Sequence, residues 1–362
     1  MLDIADFARR EIASRAGLHE AERFPPDLWQ AMGEAGLLGL AQTGEETDFR
    51  TIARAAEQIA EHGGCKGVAA SLLVHLKLAR FIVLPHAQAA LRERLAPELK
   101  AGRASVAMAI SEPGAGAHPK HLKTRAVRDG GDWLISGEKT FITNGPLASG
   151  YCLLAITGEA DGRRQFSAFY VPRDSAGLEM RPGLMFDFHR PAPHCSLHLE
   201  NCRVPDANRL GTLGKAFEEI SIPFRQAEDL IGAAPLVGAM RNQVAMLVAA
   251  SAGADEAARE TLGGLIAAPE ALAVVADRMV DEVVAGRHGG QAAERLSAAF
   301  RQGLADHQGR VAPYAEAVGL TQDPLYEART RDIVKSLTIA RSARQARQRK
   351  IAEHCLQQTG HA

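Results

Sequence analysis

Apolar residues recur at intervals of three and four through roughly the first hundred residues: Leu28, Met32, Leu37 and Leu38, then Leu72, Leu73, Leu76 and Leu78. That spacing belongs to helices with one buried face. Pro25 and Pro26 ahead of Asp27 give the stretch DLWQAMGEAG a start, and Gly36 stands where it can close. Further helices are predicted from Thr51 to His62 and from Gly67 to Ile82, with Pro85 opening the next. At about Ser105 the texture changes. The segments SVAMAI, TRAVRD, DWLIS, KTFIT, YCLLAI, QFSAFYV and SLHLENCRV follow at short intervals with Gly, Asp or Pro between them. Asp129-Gly130-Gly131 and Asp161-Gly162 are explicit turn signals. Seven such segments in about a hundred residues predict an antiparallel barrel or sandwich. From about Lys215 the helical texture returns in Ala-rich, charge-interleaved stretches at 240–260, 268–286, 291–320 and 327–357, with His288-Gly289-Gly290 as one separator. Such lengths predict a helical bundle. The expected fold is an α+β multidomain chain: an N-terminal helical domain over 1–104, a middle antiparallel β-barrel or sandwich over 105–213 and a C-terminal helical bundle over 214–362.

Composition narrows the function classes. The 42 Lys and Arg against 43 Asp and Glu leave a formal charge of −1, so nucleic acid is not an expected partner. A hydrophobic share of 46% supplies material for real cores. Five cysteines, with no CxxC pair and an odd total, point to a reducing compartment. The opening MLDIADFARREIASRAG has no apolar core of signal-peptide length, and no uncharged apolar run has spanning length. A cytoplasmic protein with no membrane association is expected. Among the thirteen histidines, His194 and His198 are four apart in a strand-like stretch, too far apart along a strand to share one metal, so no metal site is expected.

Two motifs carry candidate chemistry: AMAISEPGAGAHPKHLKTRA at 107–126 and WLISGEKTFITNG at 133–145. A strand ending at Ile110 and Ser111 runs into Glu112, Pro113, Gly114, Ala115 and Gly116, where glycines let backbone come close to a flat or phosphorylated ligand. EPGAG alone is more often a plain surface turn than a cofactor loop. Together the two motifs resemble the flavin-binding middle domain of the acyl-CoA dehydrogenases. FPPDLWQAMGEAGLLGL at 24–40 resembles the family's helical opening, and SLHLENCRVPDANRLG at 196–211 its Val-Pro exit strand. The resemblance implies FAD as cofactor, with Met108, Ile110, Ser111, Gly116, Phe141 and Thr143 toward the isoalloxazine ring. Met108 and Ile110 read equally as inward-facing core. Phe141 stands where many relatives carry Trp, and Gly116-Ala117-His118 where relatives continue Gly-Ser-Asp, so one hydroxyl is missing.

Family chemistry needs a carboxylate to take the Cα proton of an acyl-CoA thioester while a hydride leaves Cβ for the flavin. Relatives carry that Glu either in a loop between the last helices or on the first helix of the bundle. The run IAEHCLQQTGHA has a different sequence from the loop with its Glu-Gly-Thr stretch. On the first helix, AEDLIGAAPLVGAM at 227–240, with Gly238 and Met240 in register, makes Glu228 the implied base. Asp229 falls where relatives usually carry Arg, with Arg225 four residues earlier. The plainer reading of Glu228 and Asp229 is an ordinary solvated pair near a helix start, favoured there by the dipole. MLVAASAGADEAARETLGG replaces the Arg-x-x-Phe-Gly stretch and downstream Gln that contact FAD in relatives. Two readings follow: an FAD-dependent acyl-CoA dehydrogenase passing electrons to an electron-transfer flavoprotein, or a non-catalytic or half-site subunit of a heteromeric one. A homo- or hetero-oligomer is expected in either case.

Overall fold

A computed structural model describes residues 2–41, 49–183, 186–339 and 341–359. Within them the helices α1 (Ile4–Phe7), α2 (Pro26–Glu34), α3 (Phe49–Gly63), α4 (Lys66–Leu78), α5 (Leu84–His86) and α6 (Ala89–Lys100) precede the strands. The strands are β1 (Val106–Ala109), β2 (Arg125–Asp129), β3 (Asp132–Thr143), β4 (Gly150–Ala160), β5 (Arg163–Pro172), β6 (Leu178–Pro182), β7 (His194–Pro205) and β8 (Arg209–Leu210). Six helices close the chain: α7 (Ile222–Ile231), α8 (Ala234–Ala250), α9 (Glu256–Val284), α10 (Gln291–Ala317), α11 (Pro324–Thr338) and α12 (Arg341–Thr359). The helical, then β, then helical order matches the expectation from the sequence. The chain forms two compact units, one of Met1–Leu2, Glu20–Asp48 and Ala70–Arg225, the other of Asp3–His19, Phe49–Ala69 and Gln226–Ala362.

In the first unit one sheet runs in the order β6-β7-β3-β2-β4-β5-β8, and β1 pairs with β4. DWLIS and KTFIT, expected as two strands, form the single β3, because Gly137 carries the chain through a break in its register with β7. Gly137 has φ +147°, and a Cβ there would overlap Thr124. β1 and one residue pair of β2 run parallel to β4, so the sheet is mixed where antiparallel order was expected. The crossover is made by residues 110–124, the EPGAG segment. The short, half-exposed β6 and the two-residue β8 carry too little apolar pattern to be found by periodicity. Both turn signals hold: Gly130 is left-handed, and Asp161 and Gly162 are both left-handed, as a two-residue hairpin requires. The sheet core is built from alternate positions of its strands, among them Trp133, Ile135, Tyr151, Leu153, Phe169, Val171 and Leu197. Each large apolar side chain buried there contributes about 1.5–3 kcal/mol. Gly36 closes α2 in the left-handed conformation. Pro85 stands in the first turn of the short α5, which continues the preceding helical run, and α6 begins at Ala89.

In the second unit α3 buries Ile52, Ala53, Ala55, Ala56, Ile59 and Ala60, a stripe at three- and four-residue spacing. Small residues let α8 come close, and a Cβ on Gly238 would overlap the carbonyl oxygen of Glu57. The helix expected through 240–260 ends at Ala250, and Asp255 restarts the next by accepting the N–H of Ala258 at 2.8 Å. The helix expected over 327–357 is divided into α11 and α12.

Two helical runs, Lys66–His86 and Phe217–Ala250, are long and apolar enough to cross a membrane by length and composition, and 72% and 67% of their apolar windows are buried within the protein.

Burial pushes four imidazoles down to about 4: His75 and His194 in the first unit, His19 and His307 in the second. An unfolded imidazole takes its proton near 6.5, so between about 6.5 and about 4 the unfolded chain binds more protons and stability falls as the pH drops. Each histidine adds a slope of up to about 1.4 kcal/mol per pH unit in that window. Urea midpoints are expected to fall steadily from about pH 7 to about pH 5. A flat profile would mean that these rings already carry protons in the folded state.

Candidate functional site

The first motif is held in shape by a buried ion pair. Lys139 Nζ, on β3 and fully buried, lies 2.8 Å from Glu112 Oε1 and donates to the carbonyl of Ile110 at 3.1 Å. The Glu112 carboxylate also accepts the backbone N–H groups of Lys123 at 2.6 Å and Thr124 at 3.0 Å. Burial alone raises the Glu112 carboxyl, but Lys139 and these donors outweigh it and hold it below the usual carboxylate range. Burial lowers the Lys139 ammonium, and the Glu112 carboxylate against it opposes that shift. The N–H of Thr140 donates to the Ser111 carbonyl at 2.9 Å, laying the end of β1 beside β3. The loop then closes on itself through Glu112 N to Gly116 O at 2.9 Å and Gly116 N to Glu112 O at 3.1 Å. Gly114 and Gly116 are left-handed with open space around them, so glycine is required there by the backbone.

The second motif turns an aromatic outward. Along β3, Trp133, Ile135 and Lys139 face inward; between Lys139 and Ile142 the register with β7 shifts again, and Phe141 adopts φ +57°. Its ring is 50% exposed and stacks on Phe186 at 6.4 Å and 23°. Phe186 in turn meets the edge of His194 at 4.9 Å. Thr143 Oγ1 bonds to His194 Nε2 at 3.1 Å, an imidazole kept neutral by burial. Beside this cluster Phe186, Phe188, Arg190 and His194 line a cavity of about 50 Å3, water-sized rather than ring-sized. Asn144 follows in the left-handed conformation, buried, with its amide donating to the Ser71 carbonyl at 2.9 Å.

Of the residues singled out from the sequence, Ser111, Phe141 and Thr143 are thus carried on two locked segments of one sheet. Gly116 closes the loop between them. Met108 is half-buried on the face opposite Ala107 and Ala109, which are the β1 residues in the sheet core. Ile110 is 6% exposed at the strand end. Glu112, Lys139 and His194 were not assigned roles by sequence reasoning. A lysine at an inward-facing position of an apolar strand was the available signal, since it demands a buried carboxylate.

In the second unit Glu228 is half-buried on α7, and its carbonyl accepts the N–H of Gly232 at 3.0 Å. Its neighbour Asp229 is ion-paired with Arg347 of α12 and lies 3.8 Å from Arg301 of α10. The arginines facing Asp229 therefore come from later helices.

This order of helices, sheet and helical bundle is the acyl-CoA dehydrogenase fold. A structure of glutaryl-coenzyme A dehydrogenase with glutaryl-CoA superposes with a TM-score of 0.84 over 98% of this chain and 93% of that one, at 22% identity. A structure described as an FAD-dependent dehydrogenase gives 0.79 over 98% and 96%, at 21% identity. The family models for the acyl-CoA dehydrogenase N-terminal domain and middle domain match residues 3–103 and 107–202, together more than half of the chain. The protein belongs to the acyl-CoA dehydrogenase family. It is 31% identical over 221 residues to cyclohexane-1-carbonyl-CoA dehydrogenase of Syntrophus aciditrophicus, covering 58% of this chain and 56% of that protein. The matched stretch thus spans little more than half of that relative's length.

Proposed function

We propose that this chain is an FAD-dependent acyl-CoA dehydrogenase that introduces an α,β double bond into an acyl-CoA thioester. The supporting observation is the pair of segments joined by Glu112 and Lys139, which hold a half-exposed aromatic ring and two hydroxyl-bearing positions on one rigid sheet. An aromatic face with polar groups at its edge suits a flat heteroaromatic ring. In this reading Phe141 would cover a ring face, Met108 and Ile110 would supply apolar contact, Ser111 and Thr143 would bond to the ring edge, and Gly116 would shape the loop beside it. His194 orients the Thr143 hydroxyl. When bound, FAD supplies the acceptor for the hydride that leaves Cβ. Glu228 takes the Cα proton on its carboxylate. The electrons pass to an electron-transfer flavoprotein, and the enzyme works as a cytoplasmic oligomer.

The half-site reading rests on Ala117, which lacks the hydroxyl of relatives, and on the altered bundle segment beginning at Met246. A visible spectrum of the chain purified alone separates the two. Near-stoichiometric flavin bands are the expected result. A colourless protein that stays colourless with added FAD and turns yellow only when co-expressed with another subunit would assign it to the half-site role.

A further inference from the structure

The second unit contains a cavity of about 350 Å3 with no part in the proposed dehydrogenation. It opens among α10, α11 and α12 and is walled by Arg301, Gln302, Ala305, Leu337, Arg347 and Gln348. Its volume falls within the range of small-ligand sites, about 300–1,000 Å3. Arg301 stands out on its wall. Its side chain is only 24% exposed, yet its contacts are long: one nitrogen lies 3.5 Å from the Ser336 carbonyl and another 3.8 Å from Asp229. A guanidinium carries five N–H donors, so among the described residues most of those on Arg301 lack a protein acceptor. Burial lowers its pKa, Asp229 opposes this, and Arg347 adds to it, so two guanidiniums crowd one carboxylate.

On the cavity wall Arg301 and Arg347 both face the carboxylate of Asp229, while Glu294 has Lys350 at 3.5 Å. A desolvated cation with weakly used donors is stabilised by an added anion, and a guanidinium fork matches carboxylate or phosphate oxygens.

We propose that this cavity binds a small organic anion, its oxygens held by Arg301 and Arg347 and its apolar part lying along Ala305 and Leu337. The test titrates the full chain by calorimetry with sodium hexanoate and, separately, inorganic phosphate, at constant ionic strength. Binding is expected for at least one probe, and R301Q should weaken it by about tenfold or more. Hexanoate alone assigns the site to carboxylates; phosphate alone assigns it to phosphate. R347Q, at the more exposed arginine, repeats the measurement should R301Q fail to fold. Absence of binding for both probes, or equal binding by wild type and the folded variants, overturns the proposal. Binding of an acid at a thioester site elsewhere would survive these substitutions and is told apart in this way.

Discussion

Lys139→Met is expected to destabilise the first unit by about 3–5 kcal/mol, the usual cost of removing one partner from a buried ion pair. Lys139 is fully buried and Glu112 is 4% exposed, so water cannot replace the lost ammonium without opening the sheet. The stranded carboxylate would keep the two backbone N–H groups of Lys123 and Thr124, which are too few to hold it ionised in that setting. The same pair holds the end of β1 beside Phe141, so FAD retention on gel filtration is expected to fall with stability. The double variant E112Q/K139M buries no charge and should recover most of the urea midpoint. A K139M midpoint indistinguishable from wild type would show the pair to be solvated and remove it as the clamp of the site.

Glu228→Gln is expected to slow bleaching of the bound flavin by acyl-CoA by about 10²–10⁴-fold, the range typical of a lost general base. Gln keeps the shape of the side chain and cannot accept the Cα proton, so the flavin spectrum before mixing should match wild type. Stopped-flow mixing without oxygen reads both quantities in one experiment. Asp229→Asn is the matched control, because Asp229 is already paired with Arg347. Undiminished bleaching by E228Q would move the base to another residue, while an altered resting spectrum would point to a disturbed flavin site.

The candidate residues could be picked from the sequence one by one, and the contacts that hold them could not. Ser111 and Thr143 were singled out because a strand ending in a hydroxyl before EPGAG, and a second strand ending in FITNG, are local patterns. The Glu112–Lys139 contact joins positions 27 residues apart, and nothing in either motif states which lysine meets which carboxylate. Phe141 sits in a strand whose alternation points it inward or outward depending on one register shift, and that shift is set by pairing with β7. The expected split of β3 failed for a related reason: a glycine in a strand pattern marks either an end or a bulge, and Thr124 packed against Gly137 decides for the bulge.

The amino-acid order by itself determined the succession of helices, strands and helices, the two left-handed turns and the two motifs, because periodicity and turn chemistry act over a few residues. Only the tertiary structure decided which groups meet. It set Lys139 against Glu112, turned Phe141 to the surface, and brought Arg301 and Arg347 together at Asp229, the last across 118 residues of chain. Such meetings depend on burial and closure of the whole fold, where a charge is stable only if a distant segment supplies its partner.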